Sequence, residues 1–472
     1  MKTLDGFNKV GHELIDWLTG YFKTVENLPV KPRLNPGDIE KLLPVKPPIN
    51  SENPEEIIKD LNQSIMPGIT HWQHPGFHAY FPANNSYPSV LADLVIAGLG
   101  VQGMKWITSP SATELERVVM RWLQQMIDLP DNFKGVIMDT ASVSTLCAVL
   151  AAREKISSYQ INENGFENKV LRYYCSSEAH SSIEKAVRIA GIGSNNLVKI
   201  PVDKELRMIS IKLTEQIEKD IAAGFIPACV VGALGTTGSG AIDPLDEIGD
   251  IAKRYGIWYH IDAAFSGNAL ILPEFRNTVP DYRQADSLVF NPHKWMLTNF
   301  DCSAFFVRDP KLLTKTFSLV PVYLQTDHED EIDYSNWGIQ LGRRFRSLKL
   351  WFVIRSYGVE GLQKVLSNHI ELGKLFEGFV SAHPDFELVT PRNLNIICFR
   401  YKNCKPEIIN DINKQLLDTI NDTGEIFLSH TGIDDKFVIR FVCGQTNVEK
   451  RHIEKAWRII IECAIRVKNS IE

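Results

Sequence analysis

Apolar positions recur at helical spacing at the start of the chain and then give way to prolines. The helical pattern covers residues 4–25 and consists of Phe7, Val10, Leu14, Leu18 and Phe22. It predicts an amphipathic helix. The stretch from Pro29 to Pro54 contains seven prolines, which favours an extended arm over a compact fold. We expect residues 1–85 to form a helical and extended arm that packs on a partner subunit or on the body of the same chain.

Strand and helix patterns alternate between residues 86 and 355. Runs rich in β-branched and aromatic residues occur at 171–176, 228–234, 257–262, 287–290 and 303–307. Helical patterns such as 244–254 lie between several of these runs. The alternation predicts an α/β domain with a mostly parallel sheet covered by helices. Functional residues of such sheets lie at the carboxyl ends of the strands.

The last part of the chain, residues 356–472, mixes both patterns on a smaller scale. Its β-rich runs are 395–401 and 436–442, and its helical runs are 361–380 and 447–468. We expect a smaller α+β domain at the C-terminus.

The overall charge excludes two classes of partner. The chain has 51 basic and 57 acidic residues, a net charge of −6 and a pI of about 6.1. Because it has no basic field that could bind nucleic acid or an anionic membrane, we expect neither as a partner. Its 472 residues, 44% of them apolar, are enough for more than one hydrophobic core.

Cysteine usage and the first residues indicate a reducing compartment. The eight cysteines form no C-x-x-C pair and show no zinc-ligand spacing, which predicts reduced thiols and no metal site. The start of the chain lacks the apolar core of a signal peptide, and no apolar run approaches the roughly 20 residues that span a bilayer. The acidic run from Asp327 to Asp333 favours a solvated loop over a metal site, because its like charges repel. We expect a cytoplasmic protein.

A carboxylate and a lysine follow two neighbouring predicted strands. Asp262 closes one apolar run, and Lys294 follows the next in the sequence FNPHKW, residues 290–295. The apolar neighbours Phe290 and Trp295 would desolvate the lysine and favour its neutral, nucleophilic form. A lysine that binds an aldehyde and an acid that pairs with a protonated ring nitrogen are the pattern of a pyridoxal phosphate (PLP) site. The sequence therefore predicts carbanion chemistry on an amino acid.

Two further segments could surround such a cofactor. Thr140, Ala141 and Ser142 precede a helical pattern, where hydroxyls usually cap the helix but free N–H groups can also bind phosphate. His180 precedes a helix start that resembles a capping box. It is either a loop histidine or a ring that stacks on the cofactor and holds protons near neutral pH. Beside a PLP lysine we favour the phosphate-binding interpretation of Thr140, Ala141 and Ser142.

Two motifs favour structural over functional interpretations. Gly98, Gly100 and Gly103 match a dinucleotide-binding pattern, but they follow a helical run instead of a strand. The run from Arg343 to Arg346 contains three arginines and is typical of a nucleic-acid patch. In an acidic chain without a second patch, we expect a structural or interfacial role for it.

The chain closely resembles the group II PLP-dependent amino-acid decarboxylases, in particular the aromatic-L-amino-acid decarboxylases, from its first helix to about residue 460. The segments that carry the resemblance are 67–72 (PGITHW), 79–82 (AYFP), 109–116 (SPSATELE), 291–295 (NPHKW) and 342–349 (GRRFRSLK). The resemblance implies a fold type I PLP enzyme, similar to aspartate aminotransferase, with a mostly parallel seven-stranded sheet, helices and a smaller C-terminal domain. It also implies a homodimer with its active sites at the subunit interface.

The resemblance assigns roles to individual residues. It implies that Lys294 is the Schiff-base lysine, Asp262 the partner of the pyridine nitrogen and His180 the ring stacked on the cofactor. Thr237 is expected near the phenolic oxygen of the cofactor. The residues expected around the phosphate are Ala141, Ser142, Asn291 and His293. Those expected around the substrate side chain are Trp72, Tyr80, Phe81, Pro82, Gln102, Met104 and Gly342.

Several positions distinguish members of this family from one another. Tyr323 matches the decarboxylases, since members with phenylalanine there resemble aldehyde synthases. Gly342 stands where a serine marks histidine or tyrosine decarboxylases, so a bulky ring such as indole should be admitted. Gln102 and Met104 replace larger apolar or aromatic residues of the animal enzymes, and His78 lies within the pocket strand.

We therefore expect PLP-dependent decarboxylation of aromatic L-amino acids to amines and carbon dioxide. The expected substrates are tryptophan, phenylalanine, tyrosine, DOPA or 5-hydroxytryptophan. Tyr323 and His180 are expected to deliver a proton to Cα. One alternative is oxidative deamination to an aromatic aldehyde, which Tyr323 disfavours. Another is a catalytically inactive PLP-binding protein, which the intact Lys294, Asp262 and His180 disfavour. An aminotransferase is disfavoured by the sequence around Lys294. The sequence does not choose among the aromatic acids.

Overall fold

The computed structural model describes residues 2–319 and 331–469, which divide into two compact units. The larger unit comprises Ala83–Gly373 and Thr390–Ile397, and the smaller unit comprises the described residues of Met1–Pro82, Lys374–Val389 and Cys398–Glu472. The division expected from the sequence, at 1–85, 86–355 and 356–472, stays a prediction.

Seven strands form the sheet of the larger unit. They are β1 (Lys134–Met138), β2 (Leu171–Ser176), β3 (Leu197–Ile200), β4 (Ile226–Ala233), β5 (Trp258–Asp262), β6 (Ser287–Phe290) and β7 (Ser303–Val307). Their order is β1-β7-β6-β5-β4-β2-β3. The strands from β3 to β6 pair in parallel, and β7 pairs antiparallel with both β6 and β1. The expected mostly parallel seven-stranded sheet is confirmed.

The helices predicted at 4–25, 361–380 and 447–468 are confirmed, and the described residues contain further helices that the sequence analysis did not name. In chain order the helices are α1 (Leu4–Thr24), α2 (Pro54–Asp60), α3 (Tyr87–Leu99), α4 (Pro110–Met126), α5 (Ala141–Ile156), α6 (Gln160–Asn164), α7 (Ser181–Ile189), α8 (Ser210–Ala222), α9 (Leu245–Tyr255), α10 (Pro273–Arg276), α11 (Pro292–Trp295), α12 (Pro310–Phe317), α13 (Ser347–Ala382), α14 (Ile409–Asp422) and α15 (Lys450–Asn469). Gly358 interrupts α13 with a non-helical backbone. None of these helices combines the length and the apolar composition needed to cross a membrane.

Helix α9 shows how the local sequence determines a helix and its buried face. Leu245, Ile248 and Ile251 recur at helical spacing and are buried. Acidic residues occupy the first turn and basic residues the last, where each complements the helix dipole. Gly256 ends the helix with a left-handed φ of 67°, a conformation that glycine adopts without strain. The helix predicted at 244–254 is thus confirmed.

The central strands are buried, as expected for parallel strands covered by helices on both faces. All of β6 is buried, and in β5 every residue before Asp262 is buried. Asp262 itself is half-buried. The sheet therefore becomes accessible to a ligand at its carboxyl edge.

A four-stranded sheet belongs mainly to the smaller unit. Its strands are β8 (Phe386–Leu388), β9 (Ile396–Tyr401), β10 (Ser429–Ile433) and β11 (Lys436–Val442), in the order β10-β11-β9-β8. The rings of Phe376 and Phe441 stack with their centroids 3.7 Å apart in the core of this unit. The strands predicted at 395–401 and 436–442 are confirmed.

Part of the proline-rich segment is hydrogen-bonded to other residues of the smaller unit, to which it belongs. The Val30 N–H donates to the Gly424 carbonyl at 2.7 Å, and the Val30 carbonyl accepts the His71 N–H at 2.8 Å. The Arg33 guanidinium donates to the carbonyls of Asp422 and Thr423. Since carbonyls at a helix C-terminus lack partners within the helix, Arg33 satisfies groups at the end of α14.

Both motifs that the sequence analysis set aside are structural within the larger unit. Gly100 ends α3 with a φ of 61° and donates its N–H to the Ile96 carbonyl. Arg343 forms a 2.6 Å ion pair with Glu116, and both side chains are about 95% buried. Arg343 also donates to the carbonyls of Gly103 and Ile137. The arginine therefore joins α4, β1 and the segment that precedes α13.

We expect Arg343→Met to lower the free energy of unfolding by about 3–5 kcal/mol, because it leaves the Glu116 carboxylate buried without its cation. The measurement is urea denaturation followed by tryptophan fluorescence. The matched control is Arg344→Met, one residue along, where an arginine that is 51% exposed pairs with Asp93. Such a pair contributes less than about 1 kcal/mol. Equal losses for the two variants would contradict a special role for the buried pair.

Candidate active site

Strands β5 and β6 end at the same edge of the sheet and are followed by the two residues of the predicted PLP pattern. Asp262 is paired in register with Val289, and Lys294 lies in the short helix α11 that follows β6. Both side chains are half-buried. One Asp262 carboxylate oxygen accepts the Ala264 N–H at 3.1 Å, and the other has no hydrogen-bond partner among the described residues. That oxygen is available to a protonated ring nitrogen.

Trp295 fixes the backbone that carries Lys294. Its indole ring stacks on Phe265 with centroids 4.6 Å apart and an interplanar angle of 9°. Its Nε1 donates to His369 Nδ1 at 2.9 Å, and all three rings are buried. The Lys294 N–H in turn donates to the Asn291 carbonyl at 2.9 Å. The lysine therefore projects from a rigid turn.

His180 is the N-cap of α7, and this role orients its ring. Its Nδ1 accepts the Ser182 N–H at 3.2 Å and lies 2.7 Å from the Ser182 hydroxyl. An accepting Nδ1 places the proton of the neutral ring on Nε2. The His180 side chain is partly accessible to solvent. The surrounding protein nevertheless desolvates the ring and lowers its pKa. The positive charge of Lys294 lowers this pKa further, whereas the carboxylate of Asp262 raises it. His180 therefore lies within electrostatic range of Asp262 and Lys294.

Thr237 lies exposed in the turn after β4, at the same edge as Asp262. The Leu234 N–H donates to the Asp262 carbonyl at 2.9 Å, which ties the end of β4 to the end of β5. Gly235 has a φ of 95°, and a Cβ at this position would lie 2.0 Å from the Ser266 hydroxyl oxygen. Glycine is favoured at this close approach and at this positive φ, and the turn that carries Thr237 begins there, directly after the end of β4.

The N-terminus of α5 lies at this edge too, because β1 runs in the same direction as β6. Thr140 is the N-cap, with an extended backbone, and its carbonyl accepts the N–H groups of Val143 and Ser144. The N–H groups of Ala141 and Ser142 belong to the first turn and have no acceptor within the helix. They are therefore available to an anion, as the phosphate-binding interpretation requires.

Asn291 and His293 add polar groups that a phosphate could use. Asn291 is buried, and its side-chain oxygen has no hydrogen-bond partner. His293 Nδ1 accepts the Cys302 N–H at 2.9 Å, and burial, with Lys294 nearby, lowers the pKa of His293 to about 3. A neutral ring whose Nδ1 accepts carries its proton on Nε2, which is a donor. Together with the free N–H groups of α5 and the small Ala263 and Ala264, these groups fit PLP.

The expected substrate-side residues are distributed over both compact units. In the smaller unit the rings of Trp72 and Tyr80 stack with centroids 5.9 Å apart, and the Arg440 guanidinium lies 5.2 Å from the centre of the Phe81 ring. Pro82 is the last residue of this segment and is buried.

In the larger unit, a Cβ added to Gly342 would lie 3.4 Å from the Gln102 side-chain oxygen. The structure thus brings these two residues together. The Met104 carbonyl accepts the Ser335 N–H at 2.9 Å, which joins the segment of Gln102 and Met104 to the residues before α13.

His78 is a core residue of the smaller unit. It is fully buried, stacks on Phe441 with centroids 4.0 Å apart and donates from Nδ1 to the Val442 carbonyl at 3.0 Å. Burial lowers its pKa to about 3. Its contacts explain a structural role without reference to substrate.

Tyr323 lies outside the described residues, as does the acidic run from Asp327 up to residue 330. The remaining acids of that run form ion pairs: Glu331 with Arg117 at 3.7 Å and Asp333 with Lys105 at 2.6 Å. Within residues 2–319 and 331–469, no group of three or more histidine, cysteine or acidic side chains is arranged to hold a metal ion.

Sequence reasoning missed the residues that support the site from behind. Asn268 donates to the Asn291 carbonyl at 3.1 Å, Ser266 contacts Gly235, and His369 accepts the indole N–H of Trp295. Each is far along the chain from the residue it supports. The one local signal was the glycine at 235, which indicated a close approach without naming the neighbour.

Comparison with known proteins gives the chain its family. Residues 36–402 match the model of the pyridoxal-dependent decarboxylase conserved domain. The chain is 44% identical to an aromatic-L-amino-acid decarboxylase of Mus musculus over 98% of each protein. It is 41% identical to a phenylacetaldehyde synthase of Arabidopsis thaliana, over 98% of this chain and 97% of that protein.

A solved structure agrees with both the fold and the cofactor. The crystal structure of Oryza sativa TDC with PLP and tryptamine superimposes with a TM-score of 0.96 at 34% identity, covering 98% of this chain and 99% of that one. The fold type I architecture and the PLP cofactor expected from the sequence are confirmed. The chain therefore belongs to the pyridoxal-dependent decarboxylase family, in its group of aromatic amino-acid decarboxylases.

Proposed function

We propose that this protein converts aromatic L-amino acids into the corresponding amines and carbon dioxide. The observation that carries the proposal is the convergence of Asp262, Lys294 and His180 at the carboxyl edge of the sheet. Similarity to a Mus musculus aromatic-L-amino-acid decarboxylase supports the aromatic substrate class, as does similarity to a TDC solved with tryptamine. Tryptophan, phenylalanine, tyrosine, DOPA and 5-hydroxytryptophan are the substrates we propose to test.

In this proposal each residue of the site contacts a different part of the cofactor. Bound PLP supplies an electron sink that stabilises the electron pair left at Cα when the bond to the carboxylate breaks. Lys294 supplies the amine that binds the cofactor. The free oxygen of Asp262 keeps the ring nitrogen protonated by pairing with its charge, and the His180 ring covers one face. We assign Thr237 to the neighbourhood of the phenolic oxygen, because its turn follows β4 at the same edge of the sheet as Asp262.

The phosphate is held at the start of α5 and at the turn before Lys294. The N–H groups of Ala141 and Ser142 are free to donate to it, and the helix dipole favours its charge. The buried amide of Asn291 and the neutral ring of His293 supply further contacts. A neutral His293 is suited to this position because its pKa is far below 7, so its charge does not change with pH near neutrality.

The aromatic side chain of the substrate requires apolar surface and space. We propose Trp72, Tyr80, Phe81 and Pro82 as contacts, since they form an aromatic surface in their unit. Gln102, Met104 and Gly342 are the further contacts that we propose. The missing side chain at Gly342 leaves room beside Gln102, which favours acceptance of a large ring.

Tyr323 and His180 are the groups that we propose for the last step, delivery of a proton to Cα. A phenol can donate a proton, and the orientation of His180 places its own proton on Nε2. Aldehyde formation is the second candidate function, because a phenylacetaldehyde synthase is among the relatives at 41% identity. The tyrosine at position 323 favours the amine.

We also propose that two copies of the chain form a homodimer. Helix α3 exposes a row of apolar side chains at helical spacing, with exposed fractions of 43–60%, at Leu91, Leu94, Val95 and Leu99. Exposed apolar patches of this kind mark protein interfaces.

We propose the cytoplasm as the location of this protein, because all eight cysteines are free thiols.

The proposed reaction is tested by offering the five aromatic acids to the purified protein with PLP and measuring amine, aldehyde and hydrogen peroxide together. We expect amine without peroxide. In Lys294→Ala the visible absorbance of the bound cofactor and the amine should both be lost, because no other amine replaces Lys294. Lys253→Ala, at an exposed position of α9, is the control and should behave as the parent protein. An unchanged spectrum in Lys294→Ala would reject the lysine assignment.

Tyr323→Phe should shift the products from amine toward aldehyde and peroxide, because the proton donor for Cα is removed while cofactor binding is kept. The ratio of the two products, measured by chromatography, is the readout. Tyr255→Phe removes a hydroxyl from a surface residue of α9 and should leave the ratio unchanged. Amine output equal to that of the parent protein would refute the proposed role of Tyr323.

Leu94→Glu should reduce the dimer fraction, since it places a charge in the exposed apolar row of α3. Light scattering coupled to size-exclusion chromatography measures the mass in solution. Ile221→Glu, at an equally exposed apolar position of α8, should not change it. A dimeric Leu94→Glu protein would mean that α3 lies outside the interface.

A further inference from the structure

An acidic residue stands directly before the helix that we assign to the phosphate. Asp139 lies between β1 and the N-cap Thr140. One of its carboxylate oxygens accepts the N–H of Thr140 at 2.5 Å and lies 3.2 Å from the Thr140 hydroxyl. The other accepts the side-chain N–H of Gln340 at 2.9 Å. Because both oxygens are held, the half-buried carboxylate stays at the start of α5.

The charge of Asp139 is only weakly compensated. Arg346 interacts with it electrostatically, but the Arg346 guanidinium donates two hydrogen bonds to Asp301, at 2.9 and 3.1 Å. Within residues 2–319 and 331–469, no cation forms an ion pair with Asp139. The positive end of the α5 dipole, which Asp139 directly precedes, therefore adds to the stabilisation of this carboxylate.

Two anions would thus share one helix N-terminus when PLP is bound. A phosphate and a carboxylate are each stabilised there, but they repel each other at short range. From this geometry we infer that Asp139 acts as a competitor of the cofactor phosphate: it stabilises the start of α5 in the cofactor-free protein and weakens the binding of PLP. The inference rests on the proposed placement of the phosphate at Ala141 and Ser142.

The competing explanation is that Asp139 is purely structural and holds Gln340 in place. The two explanations predict different changes in PLP affinity when the charge of Asp139 is removed. If Asp139 only positions its neighbours, its loss weakens PLP binding or leaves it unchanged. If it competes with the phosphate, its loss tightens PLP binding while it lowers the stability of the cofactor-free protein.

The deciding experiment compares the parent protein with Asp139→Asn, which keeps the size of the side chain and removes its charge. The asparagine oxygen can still accept the Thr140 N–H, and its NH2 group can donate to the side-chain oxygen of Gln340 when the Gln340 amide is turned over. Cofactor-free protein is titrated with PLP, and its melting temperature is measured before the titration. We expect a dissociation constant for PLP about fivefold lower than that of the parent, together with a lower melting temperature of the cofactor-free form. Pyridoxal, which lacks the phosphate, should bind both proteins equally.

Two control variants separate the inference from the proposed site. Asp309→Asn removes an acid from the N-terminus of α12, where its carboxylate accepts the Lys311 N–H at 3.0 Å. It should lower stability and leave PLP binding unchanged. Ala141→Pro removes one of the N–H groups assigned to the phosphate, at the first position of α5, where proline is compatible with the helix and with the extended backbone of Thr140. It should weaken PLP binding if the phosphate lies at α5.

Weaker binding in Ala141→Pro, with unchanged or weaker binding in Asp139→Asn, would overturn the inference and leave the placement of the phosphate standing. If neither variant alters PLP binding, the phosphate lies elsewhere and both the placement and the inference fail. Tighter binding of pyridoxal as well as PLP by Asp139→Asn would also overturn it, because the effect would not depend on the phosphate.

Discussion

The parallel pairing of β5 with β4 and β6 is the constraint on which the site depends. Parallel strands end at the same edge, so residues far apart in the sequence become neighbours there. This pairing carries Asp262, the turn with Thr237 and the turn with Lys294 to one edge. Since β1 runs in the same direction, the free N–H groups of α5 join them. Carboxylate, amine and anion-binding groups meet without any of them belonging to a common local motif.

The groups that hold this arrangement are neutral and buried, whereas the reactive groups are partly accessible. The indole–imidazole hydrogen bond of Trp295 and His369 and the amide of Asn268 fix backbone positions without introducing charge. A charge in those places would lose much of its hydration. Lys294 and Asp262 keep part of their exposure, because a ligand must replace the solvent around them. Separating support from reactivity lets the protein keep ionisable groups at the edge while its core stays apolar.

The sequence predicted what depends on local pattern. Strand β5 is an apolar run that ends in an acid, and both features can be recognised in six consecutive residues. Asn268 and His369 could not be predicted, because nothing near them in the sequence indicates the backbone or ring they support. The sequence also did not indicate which segments form the smaller unit, because their contacts are distant in the chain. The β-bridge between Phe77 and Phe427 joins residues 350 positions apart. Glu116 and Arg343 could be placed in structural segments, but their pairing required the fold.

The fold does not by itself decide between amine and aldehyde. The chain shares 44% of its residues with a decarboxylase and 41% with an aldehyde synthase, each over nearly its whole length, so the cofactor-holding framework is common to both kinds of relative. In the mechanism that we propose, loss of carbon dioxide leaves an electron pair at Cα, and the product depends on whether a proton or dioxygen reaches that carbon first. A phenol can deliver the proton and a phenylalanine cannot. Under the proposed role of Tyr323, the residue at position 323 therefore decides between the two products.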